Sequence, residues 1–179
     1  MLRVLAKDGV LDIYFVSGVH GVGKGTLCKE LSSIYNIEIH SCSDIIKANS
    51  EYVEDGKMVQ DANGNQSALA IGLKKMSFDK IMLDGHFCLL DKSKSVVDLD
   101  YRTFDEINPK KIITVTCDVN DIYVRLKNRD GISPEVNLIE EFQSQELKRA
   151  IKYANLRDIP HFNYISGDDL NDVVEWLER

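Results

Sequence analysis

Residues 15–27 read "FVSGVHGVGKGTL", an apolar run followed by four glycines, a lysine and a threonine. Gly18, Gly23 and Lys24 fit the pattern G-x-x-x-x-G-K at the point where an apolar strand should hand over to a helix. Glycines let consecutive N–H groups converge on one concavity, a helix N-terminus adds a partial positive charge, and Lys24 adds a full one. The stretch therefore reads as a cradle for a polyphosphate, formed by Gly21, Val22, Gly23, Lys24, Gly25 and Thr26. An ordinary glycine-rich turn with a surface lysine is the competing reading. Because Gly25 follows Lys24, the hydroxyl suited to magnesium moves one place on, to Thr26. His20 reads as a residue that shapes the loop.

Working outward, apolar and β-branched runs recur at "DIYFVS" (12–17), "NIEIH" (36–40), "KIMLD" (80–84), "KIITVTC" (111–117) and "FNYIS" (162–166), each of a length suited to a buried strand. Between them, apolar residues recur at helical spacing: Leu27, Leu31 and Ile34; Leu69, Leu73 and Met76; Val119, Ile122 and Leu126; Leu147, Ile151 and Ala154; Leu170, Val174 and Leu177. Strands that are apolar along their whole length and alternate with helices predict an α/β fold, a five-stranded parallel sheet with helices on both faces. Such sheets bind ligands beyond the carboxyl ends of their strands, where the glycine-rich stretch leaves the first one. The polar segment "EDGKMVQDANGNQS" (54–67) is expected to be a mobile loop. Residues 1–11 are expected to form a loose arm or a short hairpin turned at Asp8 and Gly9.

With 179 residues and 44% hydrophobic content, the chain can bury one sizeable core and falls short of two ordinary domains, so one domain over 1–179 is expected. A formal charge of −7 argues against a broad electrostatic grip on nucleic acid; any bound anion must be held locally. Cys28, Cys42, Cys88 and Cys117 lie far apart with no C-x-x-C pair, which gives neither a zinc cage nor a disulfide framework and fits a reducing cytoplasm. No apolar run reaches the length of a membrane span, and "MLRVLAKDGVLD" is too charged for a signal peptide, so a soluble protein without a membrane partner is expected.

Asp84 ends the third apolar run, where a carboxylate can face the glycine-rich loop and hold magnesium directly or through water; a capping aspartate is the alternative. Arg125 and Arg129 lie four apart on one expected helix, so both guanidinium groups can project from one face towards the mouth of the site; the alternative is a solvated face near a helix C-terminus. Arg149, in "ELKRAIKYA", is a further candidate cation on a face that Lys148 and Lys152 make generally basic.

"GKGT" in this register resembles the adenylate kinases and related nucleoside monophosphate kinases, a family of P-loop kinases. "HSCSDIIKAN" (40–49) is similar to the segment where those kinases begin their monophosphate-binding region, with Asp44, two aliphatics and then Lys47. "DGKMVQD" (55–61) is similar to the family's glycine, basic residue, two aliphatics and acid. "LDGH" (83–86) is closer to the aspartate-threonine-histidine of archaeal-type adenylate kinases than to the aspartate-glycine-phenylalanine-proline-arginine of the bacterial and eukaryotic ones. "EINPKKIITVTCDVNDIYVRLKNRD" (106–130) and "SPEVNLIEEFQSQELKRAIKYA" (133–154) are similar to the archaeal type in order and spacing.

The resemblance implies an adenylate-kinase-like P-loop fold in which residues 43–77 form an acceptor-binding insertion and 130–137 a short lid. It implies Arg125 beside the adenine of the phosphate donor, Arg129 closing on the phosphates, and Asp44, Lys47, His86 and Arg149 on the acceptor side. For His86, a buried structural histidine is the alternative. Cys88 stands where the larger adenylate kinases carry an arginine, and Lys47 offers a point charge in place of arginine's fork. The reaction this implies is ATP-dependent phosphorylation of a nucleoside monophosphate, AMP first, with ATP and Mg²⁺ as cofactors. Lys24, Asp84, Arg125 and Arg129 would be its catalytic residues, and Thr26 and Asp84 the metal ligands. Two alternatives stay open: a P-loop kinase of another small acceptor, and a slow ATPase acting as a nucleotide-operated protein-binding module.

Overall fold

The computed structural model describes residues 11–50 and 62–179; the arm expected over 1–11, apart from Leu11, and the "DGKMVQD" motif at 55–61 lie outside them. In chain order the elements are β1 (Asp12–Ser17), α1 (Lys24–Tyr35), β2 (Glu38–Ser41), α2 (Cys42–Asn49), α3 (Ala62–Lys74), β3 (Lys80–Gly85), β4 (Cys88–Leu90), β5 (Val96–Asp98), α4 (Tyr101–Ile107), β6 (Lys111–Thr116), α5 (Val119–Asp130), α6 (Val136–Arg157), β7 (His161–Ile165) and α7 (Leu170–Glu178). All five apolar runs are strands, paired in parallel in the order β2-β3-β1-β6-β7. Ile81, Met82 and Leu83, like Ile112 and Ile113, are fully buried. Since neighbours along a strand point to opposite faces, both faces of the sheet are covered.

The chain winds one way from β1 to β2 and the other way to β6, which leaves a crevice at the carboxyl end of β1. Register places Ser41 of β2 against Asp84 of β3, Asp84 against Val16, and Ser17 against Thr114. Ser41, Asp84 and the exit of β1 thus share one edge of the sheet. Asp100, Asp118 and Asp169 cap α4, α5 and α7 by accepting from backbone N–H groups two residues on, and Asn36, Asn108 and Asp158 end α1, α4 and α6 in the left-handed conformation. Under the sheet, Phe87 stacks on Phe104 at 4.1 Å between centroids, with Phe15 edge-on to both and Tyr153 alongside.

Three expectations are corrected. Residues 62–67 are helical, because Leu69 and Leu73 bury the face of α3 and carry its first turn with them. The buried stripe of α6 is Ile139, Phe142, Glu146, Ala150, Tyr153 and Ala154, while Ile151, expected in the core, is 39% exposed. On α1, Ile34 is 51% exposed, and Leu27, Cys28 and Leu31 carry the packing. The antiparallel hairpin β4–β5 has strands too short for a periodicity to register; its turn is fixed by the Asp91 carboxylate, which accepts from Ser93 and Ser95 N–H. No helix among the described residues is long and apolar enough to cross a membrane.

Candidate functional site

Between β1 and α1 the glycine-rich loop wraps over the crevice. Val19 and Val22 turn inward and are only 2% and 0% exposed, which pins the loop from below. Gly18 has φ +146°, and a Cβ there would lie 2.7 Å from the Val115 carbonyl oxygen; Gly23 has φ +108°, and a Cβ would meet Ser166 Oγ at 2.7 Å. Neither position admits a side chain. Lys24, the first residue of α1, is 7% exposed. Its Nζ donates to the Gly18 and Val19 carbonyls at 2.7 and 3.3 Å and lies 3.7 Å from Asp84 Oδ1. Burial pulls Lys24 down and Asp84 up in pKa, and their mutual attraction pulls each back.

Two cavities open from this point. The first, about 930 Å³, is lined by Val19, His20 and Gly21 and by Gly23 through Thr26 of the loop, by Asp84, Arg125 and Arg129, and by the turn Ser166–Asp168 after β7. The second, about 720 Å³, lies over α2 and α4, with Ser41, Ser43, Lys47, Ser50, Asn65, Thr103 and His86 among apolar residues that include Leu89 and Leu99. His20, Lys24 and Asp84 line both. His20 and His86 face each other with ring centroids 4.5 Å apart. Burial and the Lys24 charge lower both imidazoles, His86 to about 2, so the pair is neutral at ordinary pH.

The structure thus brings together Gly21, Gly23, Lys24, Gly25, Thr26, Asp84, Arg125 and Arg129 on the first cavity, while the Val22 side chain is turned into the core. Arg125 Nη1 donates to the Gly21 and Val22 carbonyls and to Ser166 Oγ, tying the loop to the turn after β7. Arg129 is forked onto its neighbour Asp130 at 2.7 and 2.6 Å. Lys47 and His86 line the second cavity; Asp44 is exposed in the first turn of α2 and raises the pKa of Asp84. Arg149 is elsewhere. Its guanidinium stacks on Tyr101 at 4.0 Å, pairs with Asp98 at 3.3 Å and donates to the Leu99 carbonyl, so it holds the β5–α4 turn and does not line the second cavity. Of the expected lid, 130–137, residues 131–135 form the connection between α5 and α6 and the rest belongs to the two helices, with Ile132 80% exposed.

Sequence reasoning missed the Ser166–Asp168 wall, although its place after the fifth apolar run is where ligands meet such sheets. It also missed Glu146, a carboxylate within the buried stripe of α6. For a divalent ion, the Thr26 hydroxyl and the Asp84 carboxylate open on one cavity and are oxygen donors of the kind magnesium takes, with phosphate and water completing its shell. The residues present fit the ion.

Residues 17–143 match a family model described as an AAA domain. A gluconokinase from Sinorhizobium meliloti 1021 has a similar structure, with a TM-score of 0.53 and 13% identity over 92% of this chain and 87% of that one. So does a "putative kinase" from Chloroflexus aurantiacus j-10-fl, with a TM-score of 0.50 and 14% identity over 93% of this chain and 96% of that one. Comparison with curated proteins gives no match. These likenesses agree with the P-loop kinase part of the resemblance read in the sequence, whereas its adenylate kinase part rests on the motifs alone. The fold is that of the P-loop kinases, and the chain belongs to the AAA-domain family of P-loop NTPases.

Proposed function

We propose that the protein transfers the γ-phosphoryl group of ATP to a nucleoside monophosphate, AMP first, as the adenylate-kinase-like motifs imply. The observation that carries this reading is the shared wall of the two cavities: a donor in one and an acceptor in the other would meet across Lys24, Asp84 and His20. Backbone N–H groups from Val22 to Thr26 would cradle the β and γ phosphates while Lys24 leaves the Gly18 and Val19 carbonyls to pair with them. Arg125 and the Ser166–Asp168 turn would flank the adenine. Arg129, freed from Asp130, would neutralise charge that develops in transfer. Thr26 and Asp84 would hold magnesium, which supplies charge neutralisation at the phosphate oxygens. A monophosphate acceptor, with a second pKa of about 6, arrives as a dianion and needs no general base, so positioning carries the chemistry. Closure of the 130–137 segment over the donor would exclude water as a competing acceptor.

One observation favours a second reading. Apart from Lys24, Lys47 is the only lysine or arginine among the described residues that line the second cavity, and the hydroxyls of Ser41, Ser43, Ser50 and Thr103 line it beside Asp84, Asn65 and two histidines. An acceptor presenting a hydroxyl would fit that wall, and Asp84, its pKa raised by burial, would then take the hydroxyl proton. A panel of monophosphates and polyols, assayed for ADP formation from ATP, separates the readings. AMP-dependent ADP formation supports the first, and turnover only with an unphosphorylated acceptor supports the second. Hydrolysis indifferent to every acceptor supports the nucleotide-operated module.

A further inference from the structure

Glu146 lies in the middle of α6, 1% exposed, at a core-facing position between Phe142 and Ala150. A buried carboxylate without hydrogen bonds is strongly disfavoured, and this one is well supplied. Its Oε1 accepts from Gly18 N–H at 3.1 Å and from Phe87 N–H at 2.8 Å, and its Oε2 accepts from Phe87 N–H at 2.9 Å and Cys88 N–H at 2.7 Å. Gly18 is the first residue of the phosphate loop, and its carbonyl oxygen anchors Lys24. Phe87 and Cys88 follow His86, which faces His20 across the junction of the cavities. One side chain therefore ties the root of the loop to the segment that carries His86. Neither group could be held this way by the sheet, since both lie beyond the carboxyl ends of β1 and β3.

We propose that Glu146 is the positioning residue of the nucleotide site: its carboxylate clamps the peptide groups at Gly18, Phe87 and Cys88 and so fixes the phosphate loop in the shape that receives a polyphosphate. This rests on the reading of the loop as a nucleotide site and is independent of the acceptor. Glutamine has the same shape but one acceptor oxygen, and its NH₂ would be aimed at backbone N–H donors. Glu146→Gln therefore breaks at least one limb of the clamp, and Glu146→Asp, shorter by one methylene, keeps the charge but reaches fewer of the three groups. The charged groups facing Glu146 are Lys24 from α1 and, when ionised, the Cys88 thiol from β4.

The test is ATP binding by calorimetry, scaled to the folded fraction, together with the amide resonances of Gly18, Phe87 and Cys88 through a pH titration. The expected result is ATP affinity weaker by about ten- to a hundred-fold in Glu146→Gln, the cost of a broken hydrogen bond to a charged group, with partial recovery in Glu146→Asp. In the wild type the three amides should titrate together, near the value of about 7 to which burial raises this carboxyl, and in Glu146→Gln that titration should vanish. Wild-type affinity in the folded glutamine variant, or amides that titrate alike in both proteins, would overturn the assignment. If the glutamine variant does not fold, the wild-type titration decides: three amides with no common midpoint refute the clamp. A wild type that binds no nucleotide sinks the reading of the loop instead, a distinct outcome.

Discussion

Lys24 Nζ stands 3.7 Å from Asp84 Oδ1 while its protons are directed at the Gly18 and Val19 carbonyls. The distance is too long for a direct hydrogen bond, so the two charges attract without locking together. Each is partly dehydrated and its pKa is shifted towards the neutral form. A polyphosphate entering the loop would meet a lysine whose present partners are neutral carbonyls and a carboxylate that also opens on the cavity. The arrangement holds a positive charge ready without neutralising it.

Lys24→Ala removes that charge and a costly desolvation together. The fold should persist, with a melting temperature within about 5 °C of wild type. ATP affinity should fall by about ten- to a hundred-fold and phosphoryl transfer should be lost. Thermal unfolding beside nucleotide titration checks both, and turnover near wild type in the folded variant would remove Lys24 from the donor site.

Asp84→Asn keeps the shape and discards the charge. Metal-free nucleotide binding should hold or improve, since a carboxylate no longer faces the phosphates, whereas magnesium-dependent turnover should drop by about 10²-fold or more. The measurement is turnover against magnesium concentration. An unchanged magnesium curve would leave Asp84 as an electrostatic partner of Lys24 and nothing more.

The sheet and the loop were legible in the sequence because each is a local signal: β-branched runs for the strands, and glycine spacing next to Lys24 for the loop. The fate of Arg149 was not. Its helix and its basic neighbours were visible, but the competitors for its guanidinium, Asp98, Leu99 and Tyr101, sit on a hairpin and turn about fifty residues earlier. Glu146 escaped for the complementary reason. A glutamate at a core-facing helical position looks like an error in the apolar pattern until the backbone donors at Gly18, Phe87 and Cys88 are seen to converge on it. Where a polar side chain finds its partner across the fold, spacing along one element says little about its role.

Gly72 tests the seat of α2. Alanine should favour helix α3 by about 1 kcal/mol, but a Cβ at Gly72 would lie 2.2 Å from Ile45 Cγ2 and 2.7 Å from Asn49 Nδ2. Both are buried on α2, so packing decides the sign, and Gly72→Ala should destabilise by about 1–3 kcal/mol. Because α2 carries Lys47, acceptor KM should rise while ATP affinity stays level. Denaturant unfolding and paired kinetics would show it; a neutral or stabilising effect would mean that the two helices part easily.

Stability should also depend on the charge of Glu146. Burial raises this carboxyl from 4.5 to about 7 in the folded protein, so between those values the native state holds a proton that the unfolded chain has released. Stability from this group is therefore full below about pH 4.5 and is lost as pH rises through 7, by something on the order of 3 kcal/mol. His161, lowered to about 4 by burial, works the other way: its contribution is present above 6.5 and is lost as pH falls towards 4. Comparing Glu146→Gln with wild type cancels the histidine. The variant should gain on wild type steadily as pH rises from about 5 to 8, and a constant difference across that range would show that Glu146 is already ionised at the low end.

Lys47 decides between the two acceptor readings. It is exposed on α2 and lines the second cavity but not the first. If it pairs with an acceptor phosphate, Lys47→Ala removes a charge-assisted contact worth about 1.5–3 kcal/mol, or about ten- to a hundred-fold in acceptor binding. Solvent around an exposed lysine weakens the pairing, so the lower end of that range is expected. ATP affinity should hardly change. Lys47→Arg should keep or improve acceptor use, because the guanidinium fork matches phosphate better than a point charge does. Steady-state kinetics with AMP varied at saturating ATP, alongside direct ATP titration, measures both. An alanine variant that weakens ATP and AMP equally, or neither, would remove Lys47 from the acceptor site. The hydroxyl-lined wall formed by Ser41, Ser43, Ser50 and Thr103 would then be the stronger guide to what the second cavity receives.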